Sequence, residues 1–155
     1  MQSDDPVVIV GAARTPLGGL RGELSALRAA DLGAAAISAA VERAGISPED
    51  VDDVTFGCVL PAGQGQAPAR QAALAAGLPL SAGAVTVNKM CGSGMKAAMF
   101  ATDMLRCGSS DVAVAGGMES MSNAPHLLLQ MRGGQRLGHT QVYDHMFLDG
   151  LEDAQ

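Results

Sequence analysis

Residues 84–115 read AVTVNKMCGSGMKAAMFATDMLRCGSSDVAVA, and this stretch decides the fold class. It opens and closes with short apolar runs rich in valine, Ala84 to Val87 and Asp111 to Ala115, which are typical of buried strands. Between them, apolar side chains at helical spacing predict a helix over residues 92–106. A strand, a crossover helix and a second strand predict a β-α-β unit with parallel strands and a right-handed connection.

The same alternation extends upstream of this unit. Two further apolar runs, Pro6 to Ala12 and Asp53 to Leu60, are predicted as strands, the first of them buried. Helices are predicted over Asp31 to Ala44 and Ala67 to Ala76. Asp31 can cap the start of the first helix, and Gly45 suits the position just past its end. The predicted fold class is therefore α/β, with a mostly parallel, layered sheet.

The pattern changes after Gly117, so two regions are predicted. Residues 1–117 form the layered α/β domain, and residues 118–155 form a loop-rich appendage. The second region holds all three histidines, four methionines and no long strand pattern. The chain ends without a capping element, which suggests a cut through something larger.

Composition excludes several classes of function. The 155 residues include 10 Lys or Arg and 16 Asp or Glu, and the formal net charge of −6 argues against nucleic acid as the main partner. No stretch approaches the roughly 18 apolar residues of a membrane helix, and the N-terminus does not resemble a secretory signal. Three cysteines without Cys-x-x-Cys spacing favour reduced thiols in a cytoplasmic compartment over disulfides or zinc.

Cys91 is the residue that carries chemistry. It lies between a predicted strand and a predicted helix, in the sequence Met90-Cys91-Gly92-Ser93-Gly94. The first turn of a helix offers unpaired N–H groups and partial positive charge, which stabilise a thiolate and can hold an oxyanion. Most free cysteines are instead small buried core residues, and that interpretation is retained for Cys58 and Cys107.

Three other candidate sites have weaker support in the sequence. Ser93 does not fit the Gly-x-Ser-x-Gly elbow of serine hydrolases, because Cys91 occupies the first glycine position. The glycines of residues 11–19 lack the dinucleotide-binding spacing, although a nucleotide-binding α/β domain stays open as a remote alternative. The histidines have no ligand spacing, so they are predicted to be polar loop residues rather than a metal site: His126, His139 and His145.

Several motifs together resemble the thiolases. VNKMCGSGMKAAM at residues 87–99 resembles their active-site signature, and AGGMESMSNAPH at residues 115–126 resembles a second family motif. VVIVGAARTPLG at residues 7–18 and GQGQAPARQ at residues 63–71 are similar to the first strand and to the turn into the second helix. GQRLG and DGL, beginning at Gly134 and Asp149, look like pieces of the family's loop domain. The similarity is greatest to the acetoacetyl-CoA type.

The resemblance implies an N-terminal α/β domain into which a loop domain is inserted, and acyl transfer between coenzyme A thioesters. Cys91 is then the nucleophile that takes the acyl group, and its backbone N–H contributes to an oxyanion hole. The residues expected around that centre are Asn88, Gly92, Gly116, Gly117 and Met118. No metal or redox cofactor is implied, since coenzyme A carries the substrate. Family members usually assemble as dimers or tetramers.

The chain also departs from the family. The general-base histidine, an Asn-bearing motif and a second cysteine come from a later domain in thiolases, and the last strand of the first domain follows the loop domain. None of these is expected here, so the isolated chain is predicted to be a poor catalyst or none, completed by a missing C-terminal half. The alternative is a non-catalytic thiolase remnant that acts as an oligomerisation or binding module.

Overall fold

The structure is a computed structural model that describes residues 6–155, so the first five residues of the predicted domain lie outside it. Three parallel strands form its main sheet: β1 (Asp53–Gly57), β2 (Gly83–Val87) and β3 (Ala113–Gly117). Their order is β2-β1-β3. Gly57 pairs with Val87 on one side and Gly117 on the other, so the carboxyl ends of all three strands meet at one edge. The fold is α/β, as predicted.

Three helices surround this sheet, two of them packed directly on it: α1 (Ala29–Ala44), α2 (Pro68–Ala75) and α3 (Ser93–Cys107). Helix α3 packs on β1 and β3, α2 packs on β1 and β2, and α1 packs against α2. Two antiparallel two-residue strands follow, β4 (His126–Leu127) and β5 (Tyr143–Asp144). Single turns complete the structure: 3₁₀ helices at Pro48–Asp50, Met121–Asn123 and Met131–Gly133, and a π-helix at Phe147–Leu151.

The core lies between β1 and the helices α1 and α2. Ile37, Val54 and Phe56 are almost fully buried, and the contacts between helices rely on alanine. Ala29, Ala69 and Ala72 are completely inaccessible to solvent, which allows close approach of the helix backbones. Small side chains therefore replace the aromatic residues that this sequence nearly lacks. In residues 6–155, no helix is long and apolar enough to cross a membrane.

The strand predicted over Pro6 to Ala12 is wrong. These residues form no strand, and Val8, Ile9 and Val10 are 66%, 89% and 60% exposed. The segment lies along α1 instead, where the carbonyl oxygen of Ala12 accepts a hydrogen bond from Arg43 Nη1 at 2.8 Å. An apolar run becomes a strand only where a sheet edge supplies hydrogen-bond partners, and hydrophobic patterning does not encode that edge.

Two element boundaries also differ from prediction. Helix α1 begins at Ala29, because Asp31 is the third helical residue and its carboxylate accepts a hydrogen bond from the Arg28 backbone N–H at 3.0 Å. The Arg28 side chain pairs with the same carboxylate at 2.8 Å and holds the pKa of Asp31 below its ordinary value. Gly45 ends α1 in the left-handed conformation with φ 68°, as predicted. Strand β1 ends at Gly57 rather than Leu60, because the amides of Val59 and Leu60 donate to the Glu119 side chain instead of a neighbouring strand.

Candidate active site

The loops that follow the three strands meet at the carboxyl edge of the sheet. Residues 58–64 follow β1, residues 88–92 follow β2, and Met118 begins the segment after β3. Ligands of open parallel sheets bind at this edge, because the loops there leave a crevice. A ligand-binding site is therefore expected at this edge.

A cavity of about 480 Å³ opens at this edge. Three of the predicted site residues line it together: Cys91, Gly117 and Met118. The loop of residues 13–20 forms another part of the wall, including Arg14. Asn88, Gly92 and Gly116 are not among the lining residues. Three of the five positions predicted around the nucleophile therefore lie behind the cavity wall rather than in it.

Cys91 is exposed and lies just ahead of α3. Met90, directly before it, has φ 48°, a left-handed conformation that non-glycine residues rarely adopt. Gly92 is the cap residue of α3, and its N–H donates to the Lys89 carbonyl at 3.1 Å. Strain of this kind costs about 1–3 kcal/mol and persists only where surrounding contacts enforce it. The turn therefore holds Cys91 at the positive end of a helix.

Ser93 closes this turn. Its side chain is 5% exposed, and its Oγ accepts a hydrogen bond from the Lys89 N–H at 2.9 Å and donates one to the Met90 carbonyl at 2.5 Å. The hydroxyl is committed to backbone groups on both sides of the strained residue. Ser93 thus supports the turn. Its hydroxyl is bonded to backbone groups and is not placed to act as a nucleophile.

The Asn88 side chain supports the site through hydrogen bonds to backbone groups. Its Oδ1 accepts a hydrogen bond from the Met90 N–H at 2.9 Å, and its Nδ2 donates a longer one to the Val59 carbonyl at 3.4 Å. The side chain therefore links the Cys91 turn to the loop after β1. This explains why it does not line the cavity.

Glycines allow α3 to begin directly against the strands. A Cβ on Gly57 would lie 2.6 Å from Ser93 Cβ, and a Cβ on Gly116 would lie 2.7 Å from the Phe56 ring. Gly117 packs against Gly94, where a Cβ would meet the Gly94 Cα at 3.5 Å. Gly116 thus makes room for the core rather than for a ligand.

Glu119 also lines the cavity, and it was not among the predicted site residues. Its Oε2 accepts the Val59 N–H at 2.8 Å, and its Oε1 accepts the Leu60 N–H at 3.0 Å and faces Cys58 Sγ at 3.4 Å. Burial, with the nearby Glu119 charge, raises the pKa of the Cys58 thiol to about 12. The signal in the sequence was an acidic side chain four residues past the predicted strand of residues 111–115, where a carboxylate shielded from water needs hydrogen-bond donors.

The histidines do not join this site. His126 and His139 are exposed, but only His139 lies in a loop as predicted, because His126 belongs to β4. His145 is different, because it is only 4% exposed: its Nδ1 lies 2.5 Å from Asp149 Oδ2, and its Nε2 accepts the Ala62 N–H at 3.3 Å. It packs the last segment onto the loop after β1. Within residues 6–155 no group of three or more His, Cys, Asp or Glu is arranged to hold a metal.

Comparison with known proteins agrees with this architecture. The profile of the family described as "Thiolase, N-terminal domain" matches residues 7–155. The chain is 56% identical over 148 residues to acetyl-CoA acetyltransferase 2 of Arabidopsis thaliana, covering 96% of this chain and 37% of that protein. It is 54% identical over 149 residues to the cytosolic acetyl-CoA acetyltransferase ERG10 of Gibberella zeae, covering 96% and 38%.

A bacterial relative gives the same picture. Acetyl-CoA acetyltransferase of Cupriavidus necator is 52% identical over 148 residues, covering 96% of this chain and 38% of that protein. The chain therefore spans less than two fifths of the length of these relatives. Because the family profile covers nearly all of its residues, the chain belongs to the thiolase family, to the part that forms the N-terminal domain.

Proposed function

We propose that this chain supplies the nucleophile for acyl transfer between coenzyme A thioesters, with acetyl-CoA as the substrate. The observation that carries the proposal is the position of Cys91: exposed, in the wall of the cavity, and at the mouth of α3. The names of the relatives, which are acetyl-CoA acetyltransferases, support the substrate class.

The proposed step is a thioester exchange. Cys91 Sγ attacks the acetyl carbonyl, a carbon–sulfur bond forms to the enzyme, and the bond to the coenzyme A sulfur breaks. The proton of the cysteine thiol ends on the departing coenzyme A thiolate, so the products are acetyl-Cys91 and free coenzyme A. The reverse exchange with coenzyme A regenerates the free thiol.

Backbone amides are proposed to hold the developing oxyanion. The Cys91 amide is proposed as one donor, because Cys91 lies at the mouth of α3, where backbone N–H groups lack partners within the helix. Gly117 and Met118 would contact the acyl group, since they line the cavity. Asn88, Gly92 and Gly116 are proposed to act by shaping the turn and the strand end beside it.

Turnover is proposed to need more than these residues supply. In the part of the chain that the structure describes, the cavity wall includes no histidine and no cysteine other than Cys91. Acid–base groups typically contribute about 10²–10⁴-fold each, so the 155 residues alone should acylate but cycle poorly. We propose that a C-terminal half and a dimeric or tetrameric assembly complete the enzyme in the cytoplasm, and that residues 118–155 begin an inserted loop domain.

A second candidate is a module for oligomerisation or binding that does not catalyse. The exposed face of α3 favours it, because Met95 and Met99 are 70% and 50% exposed on a helix otherwise packed on the sheet. The two candidates make opposite predictions about Cys91, since a binding module needs no acyl-cysteine.

Intact-mass measurement separates them. The chain is incubated with acetyl-CoA, and its mass is compared with that of Cys91→Ala and Cys107→Ala. One acetyl group is expected on the wild type and on Cys107→Ala, none on Cys91→Ala, and loss of the group when coenzyme A is added. Absence of the adduct from the wild type would favour the binding module.

A further inference from the structure

A path of hydrogen bonds through Asn88 and Val59 connects the Cys91 turn to the carboxylate of Glu119, which follows a different strand. The Met90 N–H donates to Asn88 Oδ1, Asn88 Nδ2 donates to the Val59 carbonyl, and the Val59 N–H donates to Glu119 Oε2. Every member of this path lies at the carboxyl edge of the sheet, and Met90, Val59 and Glu119 also line the cavity. The path therefore runs from the end of β3 to the residue that precedes the nucleophile.

Glu119 anchors the far end of the path. Its two oxygens accept from two successive amides, Val59 and Leu60, and its Oε1 also faces the Cys58 thiol. Both oxygens are thus held by backbone amides, which fixes the carboxylate in place. It fixes the loop after β1, on which the Asn88 amide rests.

We propose that Glu119 is a positioning residue for Cys91: it holds the Val59 carbonyl so that Asn88 can keep Met90 in its left-handed conformation. The proposal rests on the proposed function only in taking Cys91 as the nucleophile. Without this support, Met90 would relax toward ordinary backbone angles, and Cys91 would move away from the mouth of α3. A shift of this kind lowers reactivity without hiding the thiol, because Cys91 is already exposed.

The chain offers a matched control at the opposite edge of the same sheet. The Asp52 Oδ2 accepts hydrogen bonds from two successive amides, Asp111 at 2.8 Å and Val112 at 3.0 Å, just before β3. Removing Asp52 therefore deletes the same kind of carboxylate–amide pair, but far from Cys91. A merely structural role for Glu119 predicts that the two variants behave alike.

The test measures iodoacetamide alkylation of Cys91 in the folded 155-residue chain, relative to Cys107 in the same molecules, by peptide mass spectrometry. Glu119→Ala is expected to lower the ratio of the Cys91 rate to the Cys107 rate about tenfold. Glu119→Gln should recover part of the loss, since its amide oxygen can still accept from Val59. Asp52→Ala should leave the ratio unchanged while lowering stability.

An unchanged ratio in Glu119→Ala, or an equal fall in Asp52→Ala, would overturn the proposal. If Glu119→Ala does not fold, Glu119→Gln and Asn88→Ala carry the test: both should lower the ratio, and an unchanged ratio in both would overturn it. Alkylation needs no acyl-CoA. A wild type that forms no acetyl-cysteine but shows the expected ratios would therefore refute the proposed function and leave the positioning role standing.

Discussion

At the scale of single residues, the three cysteines have contrasting surroundings. Cys91 and Cys107 are both exposed and flank the same helix, one before its first turn and one at its last residue. The positive end of a helix stabilises a thiolate and the negative end disfavours it. Cys58 is 1% exposed, and burial raises its pKa to about 12.

We predict that iodoacetamide labels the folded chain in the order Cys91, then Cys107, then Cys58. The difference between the first two should be about tenfold, because each end of the helix dipole contributes about 0.7 kcal/mol and the two ends together about 1.4 kcal/mol. The three rates are read from labelled peptides at neutral pH. Equal rates for Cys91 and Cys107 would remove the argument for an activated thiol.

Alkaline pH should destabilise the fold through Cys58. Its pKa is about 12 in the folded chain against an ordinary value of 9.0, so the folded state holds the proton more tightly. The stability linked to this proton is complete below pH 9 and declines as pH rises toward 12, by up to about 1.4 kcal/mol per pH unit. The free energy of unfolding, measured with urea, should therefore fall more steeply between pH 9 and pH 10.5 for the wild type than for Cys58→Ala. An equal fall of the free energy of unfolding with pH in both proteins would contradict a buried, protonated Cys58 thiol.

At the scale of elements, the contact between β1 and α3 sets the position of the Cys91 turn. A Cβ at Gly57 would meet Ser93 Cβ at 2.6 Å and the Gly94 nitrogen at 2.8 Å. Neither atom belongs to the far end of a flexible side chain, so the start of α3 would have to shift. The glycine is therefore a requirement of packing at this point.

We predict that Gly57→Ala lowers the free energy of unfolding by about 1–3 kcal/mol, as overpacking of a tight contact does. The control is Gly133→Ala, where a new Cβ meets nothing within 4 Å. Urea denaturation of both variants gives the comparison. Similar stabilities of Gly57→Ala and the wild type would show that α3 is not held as closely as the structure has it.

The elements were predictable to different degrees. The helix over residues 92–106 lies within one residue of α3, because its apolar spacing and its glycine boundaries are local signals. The run at residues 6–12 failed because pairing depends on a distant sheet edge. In the site, a local motif singled out Cys91, whereas Glu119 acts on residues about sixty positions earlier in the chain. Long-range hydrogen bonds of this kind leave no periodic trace in one sequence.

At the scale of the whole molecule, we expect this chain to supply the nucleophile but not the acid–base groups that turnover needs. We predict that the 155-residue chain thiolyses acetoacetyl-CoA several orders of magnitude more slowly than an ordinary enzyme, since two acid–base contributions of about 10²–10⁴-fold each are missing from its cavity wall. Consumption of acetoacetyl-CoA in the presence of coenzyme A is the measurement, with Cys91→Ala as the blank. Turnover at an ordinary enzymatic rate would contradict this division of roles.

The central claim is that Cys91, alone among the cysteines, takes the acyl group. Its most direct test is the distribution of acetyl groups over the three cysteine peptides after the native chain is exposed to acetyl-CoA. The account predicts acetyl on the peptide that carries Cys91, little on the peptide of Cys107, which is also exposed, and none on that of buried Cys58. Acetyl shared equally between Cys91 and Cys107, or absent from Cys91, would contradict it.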